Sequence, residues 1–102
     1  MKECCRVYLD EQFGGDADVM GEIYGEYVSS VVAKKSEAEA ALAASDWGRL
    51  DKVAHTVKGN ALAAGDAEMA DTAIALRKAA ALGDENLARS LIMKIGELAS
   101  LL

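Results

Sequence analysis

Three Gly-Asp steps, at Gly15-Asp16, Gly65-Asp66 and Gly83-Asp84, divide this proline-free chain, and they constrain its fold more than any other feature. A glycine can take the left-handed backbone that ends a helix, and an aspartate can accept the first free N–H groups of the next one. Each step therefore reads as a stop followed by a start. Ser45-Asp46 supplies a fourth boundary. Together these marks delimit a short helix before Phe13, a long helix from about Asp18 to Ala44, and three shorter helices. At 102 residues, 52% of them apolar, the chain has the size of one small domain spanning 1–102.

The apolar residues repeat with helical spacing. In the long helix Val19, Ile23, Tyr27 and Val31, with Met20, Tyr24, Val28 and Val32, form a broad stripe. It is wider than one bundle contact needs near Met20, Tyr24 and Tyr27, so the short first helix is expected to cover it through Val7, Leu9 and Phe13. Leu50, Val53, Ala54, Val57, Ala61 and Ala64 form the stripe of the next helix. Ala70, Ala73, Ile74, Ala80 and Ala81 line the one after that, and Leu87, Leu91, Ile95, Leu98 and Leu102 the last. Short connections favour antiparallel neighbours, so the expected architecture is all-α: an up-and-down antiparallel four-helix bundle with a short extra N-terminal helix.

The one histidine, His55, stands in Ala54-His55-Thr56-Val57-Lys58-Gly59. At about 100° per residue it lies roughly 140° from the centre of its helix's apolar stripe, which makes it exposed. Asp51 and Lys58 flank it and Gly59 lies further round. Leu62 falls about 120° from the stripe's centre, on the solvent side, where an isolated domain gains little from a leucine. With Lys52 and Asp51 it marks a candidate partner-binding patch. A glycine inside a helix costs up to about 1 kcal/mol relative to alanine, so Gly59 calls for a reason outside local stability.

Little else in the chain carries chemistry. Cys4 and Cys5 are adjacent near the N-terminus, which supplies neither a zinc cluster nor a Cys/His nucleophilic pair with the lone histidine. There is no Gly-rich phosphate loop, Walker-type lysine or kinase signature, so no nucleotide or other cofactor site is expected. One reaction suits a solvent-facing imidazole with an ammonium beside it, which is to accept a phosphoryl group and pass it on. Imidazoles titrate near pH 6.5, so most carry a free lone pair at cell pH. Phosphoryl transfer needs positioning and charge neutralisation more than covalent help, which Lys58 can supply.

Ala54-His55-Thr56-Val57-Lys58-Gly59-Asn60, followed by Gly65, resembles the signature of histidine-containing phosphotransfer (HPt) domains. That signature reads approximately Ala-His-Ser/Thr-Leu-Lys-Gly-Ser/Asn, with a further glycine six residues on. Leu9 through Phe13-Gly14-Gly15-Asp16 resembles the family's leading segment, Ser45-Asp46-Trp47 the turn before the histidine helix, and Ala81-Leu82-Gly83-Asp84 the turn before the last helix. Where many members carry Asn-Leu-Gly, this chain has Ala63-Ala64-Gly65.

The resemblance implies a helical bundle that shuttles phosphoryl groups between receiver-domain aspartates in a multistep two-component relay. It assigns His55 as phosphoacceptor, Lys58 as its electrostatic support and Gly59 as clearance for the receiver. The expected partners are response-regulator receiver domains and a hybrid sensor histidine kinase, with the magnesium ion supplied by the receiver.

A net charge of −6 and a pI near 4.7 argue against nucleic acid as a partner. Arg49, Lys52 and Lys58 make the surroundings of His55 more basic than the rest of the surface. The N-terminus offers no signal-peptide core, and no run of about 18 apolar residues is free of charge. A cytoplasmic monomer off the membrane, with reduced cysteines, is expected. The initiating methionine and the absence of linker-like ends favour a freestanding protein over a domain of a larger one. Two rival readings are a non-phosphorylated docking or scaffold module acting through the Leu62 face, and a metal or redox role for Cys4 and Cys5 with His55.

Overall fold

The computed structural model describes residues Met1–Leu102 and contains five helices and no strand. They are α1 (Glu3–Phe13), α2 (Ala17–Ala43), α3 (Trp47–Ala64), α4 (Ala67–Leu82) and α5 (Glu85–Ser100). The marked residues make these boundaries, except that α1 ends at Gly14, one residue before the marked Gly15. Asp16, Asp46, Asp66 and Asp84 cap α2 to α5, each accepting from the backbone N–H three residues on at 3.1–3.3 Å. Gly14, Gly65 and Gly83 end the preceding helices with φ of 60°, 75° and 62°. At the fourth boundary a serine does the work of glycine, with Ser45 at φ 52°. The N–H of the following aspartate reaches back six-to-one at three of these turns, from Asp46 to Ala41, Asp66 to Ala61 and Asp84 to Ala79.

The helices α2 and α4 each pack against both α3 and α5, and α1 lies over α2 and α3. All six residues of the α3 stripe are buried as expected. The buried residues of α3 and α4 are rich in alanine, with Ala54, Ala61 and Ala64 on one and Ala70, Ala73, Ala79 and Ala80 on the other. Small side chains let two helix axes approach closely. That closeness brings long side chains of α4 over the outer face of α3.

Three stripes differ from expectation. The buried face of α4 runs through Met69, Thr72, Ala73, Leu76, Ala79 and Ala80, leaving Ile74 and Ala81 exposed. Alanine occupies so many positions of this helix that its pattern does not single out a face, and the two larger residues Met69 and Leu76 decide it. In α5 the buried residues are Ala88, Ile92, Ile95 and Leu98, with Leu87 exposed. In α2 Val32 is exposed, while Met20, Tyr24 and Tyr27 are buried. The first helix packs on α2 and α3 and buries Cys5 and Leu9, while Val7 and Phe13, expected to face inward, are exposed. Tyr8 closes tightly on the turn between α3 and α4: a Cβ on Gly65 would fall on the Tyr8 Cβ.

A buried polar cluster fixes this end of the molecule. Asp66 is fully buried and accepts from Lys2 Nζ at 2.9 Å, Tyr27 Oη at 2.7 Å and the Met69 N–H at 3.3 Å. Burial, and then the Asp66 carboxylate, push the Tyr27 hydroxyl's pKa far up, so it stays a donor. Burial alone works to lower the Lys2 pKa, but the hydrogen bond and charge of Asp66 outweigh it and raise it. The Tyr24 hydroxyl accepts from the Lys2 backbone N–H and donates to the Leu102 carbonyl, tying both chain ends to α2.

Candidate functional site

His55 projects from the middle of α3 into solvent, one turn after Asp51 and one turn before Gly59. Its helix turns its buried stripe inward, so the opposite face is held rigidly by packing that the imidazole does not join. A Cβ built on Gly59 meets no atom of the chain within 4 Å. Nothing inside this protein requires a glycine there. Lys58 is half-buried and enters no ion pair. Lys52 is exposed, and its backbone carbonyl accepts from Thr56 Oγ1 at 3.2 Å. Asn60, the last residue of the motif, donates to Ser30 Oγ at 2.6 Å and so ties α3 to α2.

The residue that sequence reasoning missed is Arg77. From α4 its Nη1 lies 3.1 Å from His55 Nδ1, and its Nε donates to Asp51 Oδ1 at 2.9 Å. Asp51, read from the sequence as partner-facing, thus also anchors the arginine that touches the imidazole. The hydrogen bond from Arg77, and then its charge, hold the Asp51 carboxyl below the usual carboxylate range. The anchor therefore stands at neutral pH and is lost only as pH falls through that lowered value. Arg77 and Lys78 are the only cations of α4, set in an alanine-rich run, and that was the available signal. Which residue of α3 they reach depends on how the two helices are aligned.

Around this contact runs an open groove of about 410 Å³ lined by Asp51, Lys58, Ile74, Arg77, Lys78 and Ala81. Ile74, expected in the core, instead contributes an apolar spot to it, 38% exposed. Leu62 lies further along α3 at 53% exposure. The face is thus cationic with isolated apolar points, on a chain whose net charge is −6. No three His, Cys, Asp or Glu side chains converge as metal ligands. Cys4 is exposed and Cys5 buried, both as free thiols. Burial pushes the Cys5 thiol pKa up to about 12.

This is a class of protein defined by one imidazole held out on an open, cationic helix face of an all-helical fold. The family can be named more closely: the Hpt domain model matches residues 22–102, and the chain belongs to that family. Hpt domains are phosphocarriers of histidine phosphotransfer in two-component signalling. The match begins within α2, so α1 lies outside it. No curated protein and no solved structure matches the chain with significance. No helix is long and apolar enough to cross a membrane.

Proposed function

We propose that this chain is a histidine phosphotransfer protein of a multistep phosphorelay, with His55 as the atom-for-atom carrier of the phosphoryl group. In one direction an imidazole lone pair attacks the phosphorus of a receiver's aspartyl phosphate. The new N–P bond forms as the acyl phosphate C–O–P linkage breaks, and the electron pair leaves with the receiver's carboxylate. In the other direction the steps reverse. Nδ1 faces Arg77 across 3.1 Å, so Nε2 is the ring nitrogen turned away from the chain and toward a donor.

The observation that carries this reading is the emptiness around Gly59 beside an exposed imidazole. A helix that accepts the conformational cost of a glycine on its outer face, where the chain itself needs no space, leaves room for another protein's surface. Lys58, free of any ion pair, supplies positive charge to the equatorial phosphoryl oxygens, while Leu62 and Lys52, with Asp51, belong to the docking surface. The divalent metal and its ligands belong to the receiver, and the chain has no nucleotide site of its own. Response-regulator receivers and a hybrid sensor histidine kinase are the partners, and the protein works as a cytoplasmic monomer.

The same reading takes residues 1–102 as one domain. Helices α2 to α5, each packed against the next and α5 back against α2, are joined by short aspartate-capped turns. They are read as an up-and-down antiparallel four-helix bundle, with α1 as the extra N-terminal helix.

Mixing the chain with a panel of phosphorylated receiver domains tests the proposal. The label is expected to move to the chain and to be absent from His55→Gln. A chain that binds a receiver yet takes no label from it would be a docking module.

A further inference from the structure

The Arg77 contact has a chemical consequence for the imidazole. A guanidinium carries only donors, so the nitrogen it approaches must accept. In the observed geometry His55 Nδ1 therefore holds a lone pair and the ring proton sits on Nε2, the nitrogen open to solvent. A protonated Nε2 cannot attack phosphorus. The nucleophilic tautomer carries its proton on Nδ1, where N–H would face Arg77 N–H with no acceptor between them. Once Nε2 is phosphorylated and the ring neutral, Nδ1 again holds a lone pair and suits Arg77.

We propose that Arg77, anchored by Asp51, is a positioning residue that fixes His55 in its Nε2–H tautomer when free and shields Nδ1 from protonation when phosphorylated. Both resting states fit Arg77, and the reacting state does not. Transfer therefore begins with withdrawal of Arg77 from Nδ1 toward an acidic partner surface. The ring then loses its Nε2 proton to solvent and takes one up on Nδ1, whose N–H Asp51, one helical turn before His55, is free to accept in a hydrogen bond. Attack at Nε2 forms the N–P bond, the donor's bond to phosphorus breaks toward its own leaving group, and the Nδ1 proton passes to solvent. The other charged groups on this face, Lys52 and Lys58 on α3 and Lys78 on α4, make no hydrogen bond to the ring and cannot set its tautomer. The latch half of the inference rests on the phosphoacceptor reading; the tautomer half does not.

Because His55 is the only histidine, its two ring nitrogens can be followed without ambiguity in the 15N-labelled full-length chain. At a pH where the ring is neutral, long-range 1H–15N spectra are expected to show a single Nε2–H tautomer in the wild type. Arg77→Gln, whose amide can accept as well as donate, is expected to shift the ring to a mixture. The phosphorylated chain, made with phosphoramidate, is expected to lose its label about three- to tenfold faster in that variant, the ratio set by one hydrogen bond of ordinary net strength. Asp51→Asn should move both readouts in the same direction by less. Identical tautomer balance in wild type and Arg77→Gln overturns the inference, and a tautomer shift with equal label lifetimes overturns its latch half. A tautomer shift in a chain that no donor can phosphorylate upholds the positioning half and defeats the phosphocarrier reading instead.

Discussion

Asp51 and Asp66 are both aspartates paired with a cation distant in the sequence, and their settings make them opposites. Asp66 is fully buried, with a lysine, a tyrosine and a backbone N–H all donating to it. Its cluster locks α1, α2 and α4 into one arrangement. Asp51 is 43% exposed at its side chain and makes one short bond, to an arginine that is also open to solvent. A surface pair of that kind contributes little stability, about 0–1 kcal/mol. What it offers is a movable charge next to a reactive ring. Burial thus separates an ion pair that holds the fold from one placed to act on a neighbour.

Substitutions can break this contrast at either end. The largest effect belongs to His55→Gln, which should abolish phosphoryl uptake while leaving the denaturation midpoint unchanged; a loss of stability would mean the imidazole is part of the packing after all. Asp66→Ala should do the reverse. It removes the α4 cap, worth about 1 kcal/mol, and strands the buried Tyr27 hydroxyl at about 1–3 kcal/mol. Urea titration should therefore show about 2–4 kcal/mol less stability, with uptake per folded molecule intact. A neutral result would make the buried cluster no more important than the surface one.

Gly65→Ala sharpens the structural side. The new Cβ would fall on the Tyr8 Cβ, an atom fixed to the backbone, and the glycine's φ of +75° disfavours any side chain. A loss of about 2–3 kcal/mol is expected in the same titration, as for overpacking elsewhere. On the reactive side, Lys58→Ala should slow receiver-to-chain transfer by roughly tenfold or less, the scale of about 1 kcal/mol of partly screened charge. An unchanged rate would remove Lys58 from the site. The smallest effect concerns the thiols: a mild alkylating reagent at neutral pH should label Cys4 and spare Cys5, whose pKa is raised to about 12 by burial. Equal labelling, read by mass, would show that α1 opens readily.

How far the sequence reveals these features depends on whether one helix or two are needed. Every aspartate cap, the buried stripe of α3, and the outward turn of His55, Gly59 and Leu62 follow from spacing along a single helix. Arg77 meeting His55, and Lys2 meeting Asp66 across most of the chain, depend on how separate helices are aligned. No single-helix wheel contains that information. Ile74 falls between the two cases. In a helix filled with alanine the apolar pattern has no sharp edge, and Leu76, two residues on, takes the core position instead. The residues that face another helix's charges were hidden for the same reason.

The central claim is that one nitrogen of one side chain carries the phosphoryl group, and locating that group on the phosphorylated chain tests it most directly. With the chain phosphorylated by a receiver, heteronuclear NMR should place phosphorus on Nε2 of His55, in a bond that acid breaks. Phosphorus on any other residue, or an acid-stable label that persists in His55→Gln, would contradict the account.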